Sequence, residues 1–391
     1  MRSGVFSRTA RAGAGVGGPQ RPEPCSGGVP VPLRGPSFGT YAPEEVGWLL
    51  KDLSHLDLEP RRAVDEADFF AWLPAEYQPD AAYQELFETV LREGSARFAL
   101  AVAVLTELVL AERGANSVLV SIARGGTPVG ILMRRWAAAA RGQVLPHYAV
   151  SLVRGPGVDT GALDYLARHH DPADVVFVDG WTGKGAIAEE LSTSLARYRA
   201  VGGGAAFNDE LAVLADPGSC VRTYGTRDDF LLPSACLNST ATGLVSRTVY
   251  SPSLTPPDGF HGAKFYRELA RDDASHRLLD AVSDAFSDIA DQVAPAVAAI
   301  RGSDRTPTWA GRQTAATLCA QYGITDPNFV KPGVGETTRV LLRRPTWRVL
   351  VREPQALEHR HVRLLAAARG VPVEVVPHLA YTCVGLLKGA A

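Results

Sequence analysis

Val175-Val176-Phe177-Val178-Asp179-Gly180-Trp181-Thr182-Gly183-Lys184-Gly185 is the stretch on which the reading of this chain turns. An apolar, β-branched run ends in an acid, and a glycine-rich turn follows before a helical stretch over 186–199. Glycines let backbone N–H groups turn toward one point, and the next helix aims its N-terminus at the same spot. Thr182 adds a hydroxyl donor and Lys184 a charge, so Thr182, Gly183, Lys184 and Gly185 are expected to hold a phosphate. Asp179 at the strand end is expected to accept from ribose hydroxyls or to hold a hydrated Mg²⁺. Two commoner phosphate loops fail on spacing. A Walker A loop requires Ser or Thr after the lysine, where Gly185 stands, and a dinucleotide fingerprint requires a glycine at 188, where Ala188 stands.

Working outward, Val118–Ile122 is a second short apolar run, and it ends in Ala123-Arg124-Gly125-Gly126-Thr127-Pro128. Gly125 and Gly126 allow close backbone approach, Thr127 opens a helix, and Arg124 offers a bidentate phosphate clamp. Further apolar runs at His147–Val153 and Leu211–Leu214 alternate with helical stretches. Buried strands alternating with helices predict an α/β fold with a doubly wound parallel sheet, which binds ligands at the carboxyl ends of its strands. Two anion loops at neighbouring strand ends fit a substrate with two phosphate groups, such as phosphoribosyl pyrophosphate.

Ser121 through Pro128 resembles the pyrophosphate loop of phosphoribosyltransferases, and Val175–Gly185 resembles their signature motif. More specifically, Ser37-Phe-Gly-Thr-Tyr, Ser234-Ala-Cys-Leu-Asn-Ser-Thr, Gly243-Leu-Val-Ser-Arg-Thr and Phe260-His-Gly-Ala-Lys-Phe-Tyr are similar to the phosphoribosyltransferase-like family of bacterial tellurite and stress-response operons. That family carries a C-terminal Pelota-type RNA-binding domain, which Gly335-Glu-Thr-Thr-Arg to the end resembles. The resemblance implies transfer of ribose 5-phosphate from phosphoribosyl pyrophosphate with Mg²⁺, in making or attaching a modified ribonucleoside. Asp179, Arg124 and Lys184 would carry it. The same family is also labelled a cysteine protease, StiP. Two departures stand out: the second acid of the usual pair is Gly180, and Ala186 replaces the usual closing Ser or Thr.

Cys236 in the polar-flanked 233–240 stretch and His261 are the alternative pair, a thiol nucleophile with its base, oriented by Asn238 or Asp258. The competing reading is a small buried thiol beside a structural histidine. A third alternative is a non-enzymatic RNA-binding nucleotide sensor.

The net charge of -2 hides a polarity. Residues 331–391 hold ten Lys/Arg against four acids, a surplus of six, which leaves the rest of the chain at -8. A basic tail suggests a polyanionic partner, with Arg339, Arg343, Arg344 and Arg348 as RNA phosphate contacts. Residues 1–36 are rich in Gly, Pro, Arg and Ser and are expected to be disordered. The expected organisation is a disordered 1–36, a phosphoribosyltransferase-like 37–325 and a Pelota-like 326–391. A helix is expected from Pro43 into Leu50, one or two helices over 79–113 broken or bent near Gly94, and one long helix over 273–300. Five dispersed cysteines read as free thiols in a reducing compartment. The absence of an apolar leader run in 1–36 and the short apolar stretch Phe98–Leu110 predict a cytoplasmic protein with no membrane segment.

Overall fold

Strand β1 (Gly47–Leu49) and the short β2 (Lys51–Asp52) precede helix α1 (Ala81–Arg113), which runs unbroken through Gly94. Next come β3 (Val118–Ile122), α2 (Thr127–Arg141), β4 (His147–Val150), β5 (Leu152–Val153), β6 (Gly157–Val158), α3 (Thr160–His169), β7 (Val175–Trp181), α4 (Ala186–Ala200), β8 (Leu211–Ala215) and β9 (Thr223–Thr226). The chain continues through α5 (Pro233–Leu237), β10 (Gly262–Ala263), α6 (Ser275–Asp284), α7 (Phe286–Arg301), α8 (Ala310–Tyr322), β11 (Val330–Pro332) and α9 (Val334–Arg343). It closes with β12 (Thr346–Val351), α10 (Arg360–Ala368), β13 (Val373–Val375) and β14 (Cys383–Leu387). This computed structural model describes residues 31–58, 73, 81–202, 205–255 and 259–388. Most of the stretch expected to be disordered, 1–30, and Asp258 therefore lie outside the described residues. Within 31–36, Leu33 forms a bridge with Trp48.

The main sheet has the order β1-β4-β3-β7-β8-β9, and every pairing in it is parallel. Side chains alternate between its two faces, as strand geometry requires. Val176 and Val178 of β7 join one core with α1, α2 and α7, while Val175 and Phe177 join a second core with α3 and α4. Helices therefore cover both faces, and the strands read as continuous apolar runs. From β3 the chain leaves through α2 toward β4, and from β7 it leaves through α4 toward β8. The exits diverge between adjacent strands, which makes the β3/β7 boundary the topological switch point where such sheets open a crevice.

Three expectations are corrected here. The segment predicted to start a helix at Pro43 forms β1 instead, because Val46, Trp48, Leu49 and Leu50 are buried on both faces against β4 and both cores. A helix of this length would leave one of those faces outside. The long helix expected over 273–300 divides at Ala285 into α6 and α7. The division lets α6 pack on α2 while α7 packs along α1, with Phe286 edge-on to Trp136. The break expected near Gly94 is absent: α1 is one helix through that residue, where a Cβ would meet nothing within 4 Å. Helix α1 is long and apolar enough to cross a membrane by length and composition. Its Phe98, Val102, Leu105 and Leu108 are nevertheless buried against the sheet and its covering helices.

The C-terminal sheet has the order β11-β14-β12-β13, with only β12 and β13 parallel. One face, carrying Leu350, Val384 and Leu386, packs on Ala315 and Leu318 of α8. The other, carrying Val349, Val351 and Cys383, packs with α9 and α10 and is continuous with the core of the main sheet.

Candidate active site

Two loops leave the switch point. The first runs from Ile122 through a cis Ala123–Arg124 peptide into α2. Gly126 touches β7 so closely that a Cβ would lie 2.5 Å from the Val178 carbonyl oxygen. Ser121 Oγ holds the turn by donating to Gly126 O at 3.0 Å, and it lies 2.8 Å from His147 Nε2. His147 Nδ1 bonds the carbonyl oxygen of Glu45 at 2.8 Å, and burial pulls this imidazole down to about 4, so it is neutral. Arg124 Nη1 donates to Val245 O at 3.0 Å. The Thr127 hydroxyl is buried without a hydrogen-bond partner among the described residues.

The second loop begins at Asp179. Its Oδ1 accepts from Gly180 N at 2.7 Å and lies 3.8 Å from where a Cβ on Gly125 would stand, so the two loops meet here. Burial pushes the Asp179 carboxyl up to about 7 against the opposing pull of the Gly180 amide and the Arg339 guanidinium. Of the sequence-predicted residues, Gly125 and Asp179 thus face each other across the switch point, with Arg124, Gly126 and Thr127 on the same first loop.

The remainder of the second loop turns into protein. Thr182 Oγ1 donates to the buried carboxylate of Asp216, which also accepts from the amides of Cys220 and Val221. Gly183 O accepts from Tyr381 Oη at 2.7 Å. Lys184 Nζ donates to the carbonyl oxygens of Pro327 and Val330 at 2.6 and 3.2 Å, and burial together with neighbouring Lys331 brings its pKa down to about 8. Gly185, at φ +78°, faces Trp309, whose ring would collide with any Cβ. Trp309, Val330 and Tyr381 all belong to the C-terminal part of the chain, which packs against the turn that was expected to hold a phosphate.

The two units are latched by a residue that sequence reasoning missed. Asp229 Oδ1 accepts from Val334 N at 2.9 Å, and Oδ2 accepts from Thr382 N at 2.8 Å. Helix α9, whose Gly333 cap offers no side chain, is capped in this way from more than a hundred residues away. Burial pushes the Asp229 carboxyl up to about 6 in spite of those amides.

His261 is held beside Ser151, the residue that follows the carboxyl end of β4. Its backbone N–H donates to Asp159 Oδ2 at 2.6 Å, its Nδ1 lies 2.8 Å from Ser151 Oγ, and its ring faces Tyr250 at 4.8 Å. Burial lowers this histidine to about 4. Asp159 also caps α3, accepting from Gly161 N and Ala162 N, and the Asp-Thr-Gly signature at a helix start could have revealed that role. Cys236 lies in α5, which packs on α1 and α9, so the partners that fix it differ from those of His261. The Cys236 side chain itself lies outside what the structure describes. Asn238, its predicted orienter, follows at φ +53° with its Oδ1 buried and without a partner among the described residues. Cys220, Cys319 and Cys383 are free thiols, and burial raises all three, Cys220 to about 12.

Of the four arginines assigned to RNA, Arg339 pairs with Glu336 at 3.0 Å and Arg348 pairs with Glu374 while covering Trp347. Arg344 caps α9 and is exposed, and the Arg343 side chain lies outside the described part. Among the described residues no group of three or more His, Cys, Asp or Glu side chains is placed to hold a metal ion.

The fold and these loops define a parallel α/β protein whose strand-end crevice is closed by a small mixed-sheet unit. Residues 39–283 match the family described as "Tellurite-like stress resistance cysteine protease StiP", and residues 309–389 match the PELOTA RNA binding domain. The chain is 32% identical over 353 residues to "Cysteine protease StiP" of Acinetobacter baylyi, covering 86% of this chain and 90% of that protein. It belongs to the StiP family. No solved structure matches it. These findings overturn the expectation of a phosphoribosyltransferase using phosphoribosyl pyrophosphate in nucleoside biosynthesis, because the family and the relative are described as cysteine proteases. The packing of 182–185 against Trp309, Tyr381 and the 327–330 carbonyls supplies the physical reason.

Proposed function

We propose that this chain is a cysteine protease that acts through Cys236, with His261 as the proton acceptor, and that its PELOTA unit binds RNA. The observation that carries this reading is the 32% identity to a protein named as a cysteine protease along nearly the whole of both chains. The scaffold is read as a phosphoribosyltransferase-like sheet adapted to another use. Its two glycine turns at the switch point support that reading.

The chemistry asks for a thiolate that attacks a peptide carbonyl carbon, and for a base that takes the thiol proton and returns it to the leaving amine. Water then releases the acyl group. Three of the cysteines suit this poorly, since Cys220, Cys319 and Cys383 have thiols raised by burial. Cys236 sits one residue before Leu237 and two before Asn238, a non-glycine residue in left-handed backbone with an unsatisfied amide oxygen. Strain and unsatisfied polar atoms concentrate at functional sites. His261 is neutral at pH 7 and has its Nδ1 engaged by Ser151, an arrangement that suits a base acting through Nε2.

Hydrolysis of quenched fluorescent casein tests the reading. Cys236→Ala and His261→Ala are expected to drop the rate at least a hundredfold, while Cys220→Ser leaves it within about twofold. Full activity in Cys236→Ala would sink the assignment.

A further inference from the structure

At the opposite ends of the strands from the switch point, a cavity of about 500 Å³ opens beside the starts of β8 and β9. Four arginines line it: Arg113 at the end of α1, Arg222 just before β9, Arg301 at the end of α7, and Arg305. Its two carboxylates are already engaged. Glu112 pairs with Arg305 at 2.5 Å, and Glu210 accepts from Thr223 Oγ1 at 2.9 Å. Four guanidinium groups against two carboxylates leave the cavity with a surplus of two positive charges.

The donors are not used up by the fold. The Arg305 side chain is 9% exposed, and its Nη1 is buried with no hydrogen-bond partner among the described residues. Burying a guanidinium nitrogen without an acceptor costs free energy that a bound anion would recover. Arg113 spends Nη2 on the carbonyl oxygens of Ala173 and Val175. Arg222 and Arg301 are exposed, and neither has a hydrogen bond or ion pair among the described residues. Arg301 and Arg305 lie between the two stretches that match known families, 39–283 and 309–389. An adjoining cavity of about 450 Å³ shares Glu210 and Arg222 with this one and has Trp309 and Pro307 in its wall.

We propose that this arginine cavity binds a phosphomonoester of a small molecule, with the organic part lying toward Trp309. Planar guanidinium forks match phosphate oxygens. A phosphomonoester carries about -1.5 to -2 charges near pH 7, which balances the surplus of two, whereas a diester carries one. The site is independent of the proposed protease chemistry, and its binding is read without any turnover.

Calorimetric titration of the full chain tests it with AMP as the monoester, cyclic AMP as its diester counterpart, and inorganic phosphate as the minimal group. AMP and phosphate are expected to bind, and cyclic AMP to bind at least tenfold more weakly. The Arg222→Gln/Arg301→Gln double variant, which changes only exposed side chains, is expected to weaken AMP at least tenfold while its unfolding midpoint stays unchanged. Arg305→Gln is expected to abolish binding, with circular dichroism checking that it folds. No heat from either AMP or phosphate at millimolar concentration overturns the proposal. So does equal affinity for AMP and cyclic AMP, or unchanged AMP affinity in the double variant.

Discussion

Replacing Asp229 by Asn sets desolvation against hydrogen bonding at the joint between the two sheets. Two amides, Val334 N and Thr382 N, point at separate oxygens of this one buried carboxylate. Burial nonetheless outweighs them and raises the pKa from 3.8 to about 6. An acid raised in the folded state contributes stability that is complete below its unfolded pKa and is lost as the pH rises through the folded value. The shift from 3.8 to about 6 corresponds to about 3 kcal/mol, of which about 2 kcal/mol is regained on going from pH 7.5 to 4.5. Asn carries no charge, so the variant lacks this contribution. Other titrating groups are shared and cancel in the difference. Urea unfolding followed by tryptophan fluorescence, at matched slopes, should therefore show the stability of the native chain relative to Asp229→Asn rising by about 2 kcal/mol between pH 7.5 and 4.5. A difference that stays constant with pH refutes the reasoning, since the carboxyl would then have its ordinary value, and so does one that falls on acidification, which would mean that the two amides hold the carboxylate below that value.

Gly126→Ala should destabilise by about 1–3 kcal/mol, because the new methyl meets the Val178 and Ile122 carbonyl oxygens at 2.5 and 3.0 Å, whereas Gly125→Ala, with its nearest neighbour at 3.8 Å, should stay within about 0.5 kcal/mol in the same denaturation assay. Iodoacetamide at pH 7 should leave Cys220 and Cys383 unmodified in the folded protein and label them after unfolding, as peptide mass analysis would show, since burial keeps both thiols protonated. Arg344→Ala should weaken RNA binding across unrelated sequences and reduce the salt dependence by about one counterion, measured by fluorescence anisotropy at several salt concentrations.

The two glycine turns were legible because each is local: a strand, a turn and a helix start occupy about ten adjacent residues, and their periodicity announces them. The meeting of Gly125 with Asp179 followed from strand adjacency, which the alternating pattern made the natural expectation. The fate of Thr182 to Gly185 was not legible. Their partners, Asp216, Trp309, Pro327, Val330 and Tyr381, are 34 to 198 residues distant, and no local pattern encodes such pairings. Arg348 read as a free cation in a basic tail, but folding placed Glu374 beside it from 26 residues away, whereas the Glu336–Arg339 pair is a local i,i+3 contact on α9.

By itself the amino-acid order determined the alternation of buried strands and helices, the two turns at strand ends, and the basic character of the tail, because hydrophobic periodicity, glycine freedom and charge are properties of neighbouring residues. Only the tertiary structure decided that the tail's sheet would be clamped by Asp229 over the crevice, that Lys184 would bind carbonyl oxygens, and that Arg301 and Arg305 would join Arg113 and Arg222 around one cavity. Those outcomes depend on which distant surfaces bury each other most completely, a competition settled by the whole chain at once.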